Sequence, residues 1–343
     1  MDFLMSQKIS RRDVLRVAGC MAVSSASGAL AGSATQVASP TQATRPATQS
    51  ALRTTFFYQF NEQAMKALTA DGGLPSGSQY LHIFSHSAPG LRNTPEMARL
   101  AHSRGSSFRY AHPFDIHKYS GWMTCADDEL KRWAAEFRKR ADNPDGPADY
   151  FAFNEMPTNA CSDPHVRERL AKLMRYIAAT GDQRGMRGIF FMTEKNLNFR
   201  NWIGEPQSFF AAIDETCDLV VGEHYHSFAF VTTKMAEEYA SHLFEFPRWL
   251  IGRKNPECRR VAEEKFVVCH SSFYGTKVSG WAGVDSHAHD EKDLAKYFDD
   301  VIAATRAHPL GRDRIGFGPL VAEGLDSRAV TSLAHSLGMD LRA

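Results

Sequence analysis

Short apolar runs recur along the chain, separated by stretches in which apolar positions return every three or four residues. The runs begin with Thr54 to Phe60 and continue with Gln79 to Ser87, Ser106 to His112, Asp149 to Met156, Arg187 to Asn196, Asp218 to His226, Lys265 to Ser272 and Arg314 to Gly324. Their β-branched and aromatic content predicts strands. Between them, Pro95 to Arg104, Asp127 to Ala141, Pro206 to Thr216, Met235 to Trp249 and Lys292 to His308 have helical spacing. So does Pro164 to Thr180, with Val166, Leu170, Leu173, Met174 and Ile177 on one face, and Arg328 to Leu337 closes the chain as a helix. Several runs are apolar throughout rather than alternating, as a parallel sheet covered by helices requires. Eight such units predict a single-domain α/β protein, a (β/α)8 TIM-type barrel over residues 51–343. An open doubly wound sheet is the alternative, but no glycine-rich nucleotide turn follows the first strand.

In this fold, function collects where the strands end. The second strand offers His82 and His86 there, the third Arg109, His112 and Asp115, and the fourth Asn154 and Glu155. Glu194, Lys195 and Asn196 follow the fifth, Glu223, His224, Tyr225 and His226 the sixth, His270, Ser271 and Tyr274 the seventh, and Glu323 the eighth. Two carboxyls facing each other across such a mouth can cleave an acetal. One, protonated, donates to the leaving oxygen; the other attacks carbon or activates water. With Phe151, Phe153 and Glu155 directed into the barrel, and Leu219, Val221, Glu223 and Tyr225 likewise, alternation brings Glu155 and Glu223 within the roughly 5 to 9 Å that this chemistry spans. Glu323 and then Glu194 stand behind Glu223 as the second carboxylate.

Phe153-Asn154-Glu155-Met156-Pro157 resembles the fourth-strand signature of the clan A glycoside hydrolases, and Asp218 to Tyr225 is similar to that clan's sixth strand. The resemblance implies that Glu155 is the general acid/base, that Asn154 binds a sugar hydroxyl, and that Tyr225 or His224 orients a carboxylate. The clan carries its nucleophilic Glu on the seventh strand. Here Phe266 to Ser272 has no carboxylate, so Glu223 takes the role of nucleophile or base.

Composition narrows the rest. Forty Lys and Arg nearly cancel 39 Asp and Glu, so no global field favours nucleic acid or an anionic membrane. Ser10-Arg11-Arg12-Asp13-Val14-Leu15, followed by a weakly apolar stretch, resembles a twin-arginine export signal, with cleavage after Ala31 or Ala34. Residues 1–34 are read as this signal peptide and residues 35–50, rich in Ala, Thr, Gln, Ser and Pro, as a disordered tether. The precursor would use the twin-arginine machinery. The mature protein would be soluble, periplasmic or secreted, and without a membrane segment.

Cys125 and Cys161, in loops on one rim, are a candidate disulfide in an oxidising compartment, and Cys269 reads as a buried small hydrophobe. His224-x-His226 and His287-x-His289 can each present two imidazoles to a metal, with Glu223 or Asp290 completing a set. The first strand, however, lacks the His-x-His pair of metal-dependent barrel hydrolases, so neither metal nor cofactor is expected. Trp122, Trp202 and Trp281 fall in loops on the active face as stacking platforms for sugar rings, whereas Trp133 and Trp249 read as packing. His82, His86, Arg109, His112, Glu194, His270, Tyr274 and Glu323 read as substrate-binding groups. The expectation is an exported glycoside hydrolase acting on a poly- or oligosaccharide. The alternatives are a non-catalytic glycan-binding barrel or a metal-dependent hydrolase using the strand-end histidines.

Overall fold

A computed structural model describes residues 54–58, 66, 69, 79–83, 94–115, 120–143, 146–179, 186–226, 231, 236–270, 290–318 and 327–340. Eight strands form a closed, all-parallel barrel: β1 (Thr54–Tyr58), β2 (Gln79–Ile83), β3 (Ser107–Asp115), β4 (Tyr150–Asn154), β5 (Arg187–Met192), β6 (Cys217–His224), β7 (Phe266–His270) and β8 (Arg314–Phe317), with β8 paired back to β1. The predicted (β/α)8 barrel is therefore the observed fold. The signal peptide and the tether lie outside the described residues. No described helix is long and apolar enough to cross a membrane.

Among the described residues, the helices of eight or more residues are α1 (Thr94–Ser103), α2 (Asp127–Ala141), α3 (Pro164–Ala179), α4 (Gln207–Thr216), α5 (Ala236–Leu243), α6 (Glu245–Gly252), α7 (Glu291–Ala307) and α8 (Ser327–Asp340). Local chemistry fixes several ends. Asp127, Asp128 and Glu129 set negative charge on the positive end of α2. Asp290 caps α7 by accepting from the Asp293 amide at 2.9 Å. The single helix expected over Met235 to Trp249 is instead the pair α5 and α6, broken at Phe244. The linker expected after it contains a further helical turn, Pro256–Arg260, capped by the Asn255 side chain.

Two apolar layers follow from strand alternation. The barrel interior holds Phe56, Tyr58, Ala111, Ala152, Ile189, Phe191, Val221, Val267 and Cys269, with Tyr150, Leu219 and Tyr225 against them. Cys269 is thus the buried hydrophobe expected. On β8 the inward position is Gly316, because the Tyr58 ring fills that space: a Cβ there would lie 2.6 Å from Tyr58 Cε2. The outer layer, between strands and helices, takes Phe57, Phe151, Phe153, Phe190, Val220, Phe266 and Phe317.

This reverses the expected direction of Phe151 and Phe153. Ala152 is the inward residue of β4, and the two phenylalanines pack outward, Phe153 against Phe114 (5.4 Å between centroids) and Phe190 (5.8 Å). The β6 side chains Leu219, Val221, Glu223 and Tyr225 do share the inner face, as alternation predicts.

Candidate functional site

By alternation alone, Glu155 would follow Phe153 outward. Its backbone, however, is left-handed, with φ 57, which breaks the alternation of the strand. The turn is held from both sides. Met156, the next residue, donates its amide to the Phe191 carbonyl at 3.0 Å and is buried, and Pro157 restricts Met156 to extended backbone. Strain of this kind costs on the order of 1 to 2 kcal/mol for a non-glycine residue and persists where the surroundings over-determine it. Its effect is to bring the Glu155 charge to bear on Glu223 and Tyr225, both on the inner face of the neighbouring strand's partner, β6.

Glu223 is 9% exposed and accepts a 2.9 Å hydrogen bond at Oε1 from the Tyr225 hydroxyl. Burial pushes its carboxyl up to about 7; the Tyr225 bond opposes that shift and the like charge of Glu155 adds to it. Tyr225, rather than His224, is thus the residue hydrogen-bonded to a carboxylate. The pair differs in setting, Glu223 enclosed and Glu155 half-buried, and enclosure is what raises the Glu223 carboxyl.

Several other expected site residues lie elsewhere. Arg109 sits in the amino-terminal half of β3 and pairs with Asp149, ahead of β4, at 3.4 Å, so it belongs to the opposite rim. His112 faces outward, its ring 5.2 Å from Phe137 of α2. Trp122 is fully buried behind the barrel, its carbonyl accepting from Arg169. Trp202 packs among Phe209, Phe210, Phe246 and Trp249 and donates its indole NH to the Asn196 carbonyl at 2.8 Å. Neither tryptophan is a sugar platform, because each ring is consumed by the helix layer. Trp249 packs as expected. Glu194 is exposed at the head of a helical turn beyond β5, apart from the pair.

His270 is also enclosed. Its Nε2 donates to Thr305 Oγ1 at 2.8 Å, since that hydroxyl already donates to the Val301 carbonyl, and its Nδ1 lies 3.5 Å from the Tyr239 hydroxyl. Burial, then the nearby His226, lowers it to about 3, so it is a neutral core histidine rather than a substrate contact. Cys125 and Cys161 are both free thiols. Arg169 Nη2 donates to the first sulfur at 3.3 Å and Asn196 Nδ2 to the second at 3.5 Å, and the expected disulfide is not formed. The side chains of His82 and Asn154 lie outside those described, as do His86, Tyr274, Trp281, His287, His289 and Glu323.

The outer face of the β6 end was not anticipated as an assembly. His224 and His226 point away from the interior toward α5, where His242 joins them; one ring nitrogen from each lies within 4.8 Å of the other two. The His-x-His pair was legible, but His242 sits on a helix sixteen residues further on, and no local spacing connects it. A cavity of about 560 Å³ opens onto His224 and His242, walled by Lys195, Asn198, Arg200 and Glu245 among others. Glu155 and Glu223 do not line it, so this flank cavity and the carboxylate pair are separate features.

No protein-family model matches the sequence, and neither does any curated protein. Solved structures of similar topology include a GH18 chitinase from Pseudoalteromonas aurantia (12% identity, TM-score 0.48, covering 82% of this chain and 99% of that one). A study of two fungal β-1,4-galactanases supplies another (10%, 0.47, 81% and 98%). The YdjI aldolase from Escherichia coli K12 matches as well (9%, 0.38, 85% and 90%). At such low identities and TM-scores, these likenesses assign no role to residues of this chain.

Proposed function

We propose that the protein hydrolyses glycosidic bonds of a poly- or oligosaccharide at the barrel mouth. The observation that carries this reading is the pair itself: Glu155 at the end of β4 and Glu223 at the end of β6, close enough for the charge of one to act on the other, with Tyr225 holding Glu223. Glu223, enclosed and proton-retaining, donates to the leaving oxygen. Glu155 is the partner that attacks the anomeric carbon or activates water. This exchanges the roles that the clan A resemblance implies, and its support is the burial difference between the two side chains. The left-handed backbone of Glu155 is further support, since strain of this kind clusters at working sites. Export through the twin-arginine route and a periplasmic or secreted location belong to the same reading and rest on Arg11 and Arg12.

The test is a reducing-end assay over a panel of polysaccharides, chitin and β-1,4-galactan included, on the wild type and on Glu155→Gln and Glu223→Gln. Release of reducing ends by the wild type, lost in both variants with circular dichroism unchanged, supports the reading. Glycan binding without hydrolysis by the wild type would make it a carbohydrate-binding barrel instead, and retention of activity by either variant would remove the pair from catalysis.

A further inference from the structure

Buried imidazole nitrogens are ordinarily satisfied, because an unpaired polar atom away from water costs on the order of 1 to 3 kcal/mol. His224 breaks that rule twice. It is 4% exposed, and neither of its ring nitrogens has a hydrogen-bond partner among the described residues. His270, fully buried nearby, supplies the contrast: Thr305 and Tyr239 occupy both its nitrogens. What surrounds His224 instead is two further imidazoles, with ring centroids 5.6 Å away for His226 and 6.2 Å for His242. His226 and His242 are 5.1 Å apart.

We infer that His224, His226 and His242 form a binding site for a divalent transition metal of the zinc class, on the outer face of the β6 end. Three imidazoles are a donor set suited to zinc, copper, nickel and cobalt and poorly suited to magnesium or calcium, which take oxygen. Tetrahedral coordination with metal–nitrogen bonds of about 2.0 to 2.1 Å separates ligand nitrogens by roughly 3.4 Å. The observed separations, up to 4.8 Å, close to that value with ring movements on the order of 1 Å. Backbone geometry supplies the rest: residues two apart at a strand end share a face, and the last turn of α5 delivers the third ring to it. Because His224 and His242 also line the flank cavity, the fourth coordination position opens to solvent there, and water or an anion drawn by Lys195 and Arg200 completes the shell. The filled site would clamp α5 to β6 one residue from Glu223. The inference does not depend on the glycosidase reading.

The experiment uses the full chain without an affinity tag, stripped with dipicolinate, dialysed, and titrated with Zn²⁺ and separately with Co²⁺. One equivalent of zinc per chain by elemental analysis, a tetrahedral cobalt spectrum in the visible region, and a Tm raised by several degrees with excess zinc are the expected results. His242→Ala and His226→Ala lose the bound equivalent, the cobalt band and the Tm shift, whereas His165→Ala, an exposed histidine of α3, keeps all three. Should His226→Ala fail to fold, His242→Gln carries the same demand from a half-buried helix position. Less than a tenth of an equivalent bound by the wild type, or undiminished binding by His242→Ala, would overturn the inference.

Discussion

At the end of β6 the inner face carries Glu223 and Tyr225 and the outer face carries His224 and His226. Four consecutive residues thus serve two environments. Inside, a carboxyl is enclosed with a phenol as its hydrogen-bond donor and another carboxyl in electrostatic reach, which is an arrangement for holding and releasing a proton. Outside, burial first, then the neighbouring imidazoles of His226, His270 and His242, holds His224 well below the usual histidine range and therefore neutral. The difference teaches that a strand end rich in ionisable residues is not one site by default. Alternation sorts such a run into proton chemistry on one face and lone-pair donors on the other.

That separation can be broken from the inside first. Glu223→Gln is expected to lower kcat by about 10³-fold, roughly 4 kcal/mol, read in the reducing-end assay with the fold checked by circular dichroism. The same carboxyl also makes stability depend on pH. Its folded value, about 7, lies above its ordinary 4.5, so the folded state binds the proton more tightly. The resulting stability is fully present below the ordinary value and is lost as pH rises through about 7, amounting to about 3 kcal/mol. Urea unfolding of the metal-stripped protein at a series of pH values measures the slope, which Glu223→Gln should flatten.

Tyr225→Phe is a smaller perturbation. The Tyr225 bond opposes the upward shift of Glu223, so its loss should carry the basic limb of the pH–activity profile to higher pH, with kcat at the optimum reduced about tenfold. The smallest effect sharpens the comparison by staying outside it. Arg109→Ala, on the opposite rim in an exposed ion pair with Asp149, should change activity by less than about twofold and stability by less than about 0.5 kcal/mol in chemical denaturation.

Much of the architecture was legible because a parallel barrel leaves a strong imprint: apolar strand runs, helical spacing between them, and polar groups after the strands. The same reading put Glu155 and Glu223 at the carboxyl ends of the fourth and sixth strands, where they lie. The direction of Phe151 and Phe153 was not, since the largest side chains of β4 fill the wide strand–helix layer while Ala152 meets a crowded interior. The left-handed turn at Glu155 then breaks the alternation of the strand. Arg109 was misplaced because β3 extends to Asp115, which moves its carboxyl end six residues beyond that arginine. Trp122 and Trp202 follow strands in sequence, yet their rings fold back beneath helices. His242 carries no local signal at all, because only tertiary packing gives it company.

The backbone at Glu155 has one more consequence, and it concerns selection. Left-handed φ is most comfortable for glycine, so for folding alone Glu155 is a poor choice. Glu155→Gly should therefore unfold at equal or higher urea concentration than the parent while abolishing hydrolysis, the signature of a residue retained against the preference of its own backbone.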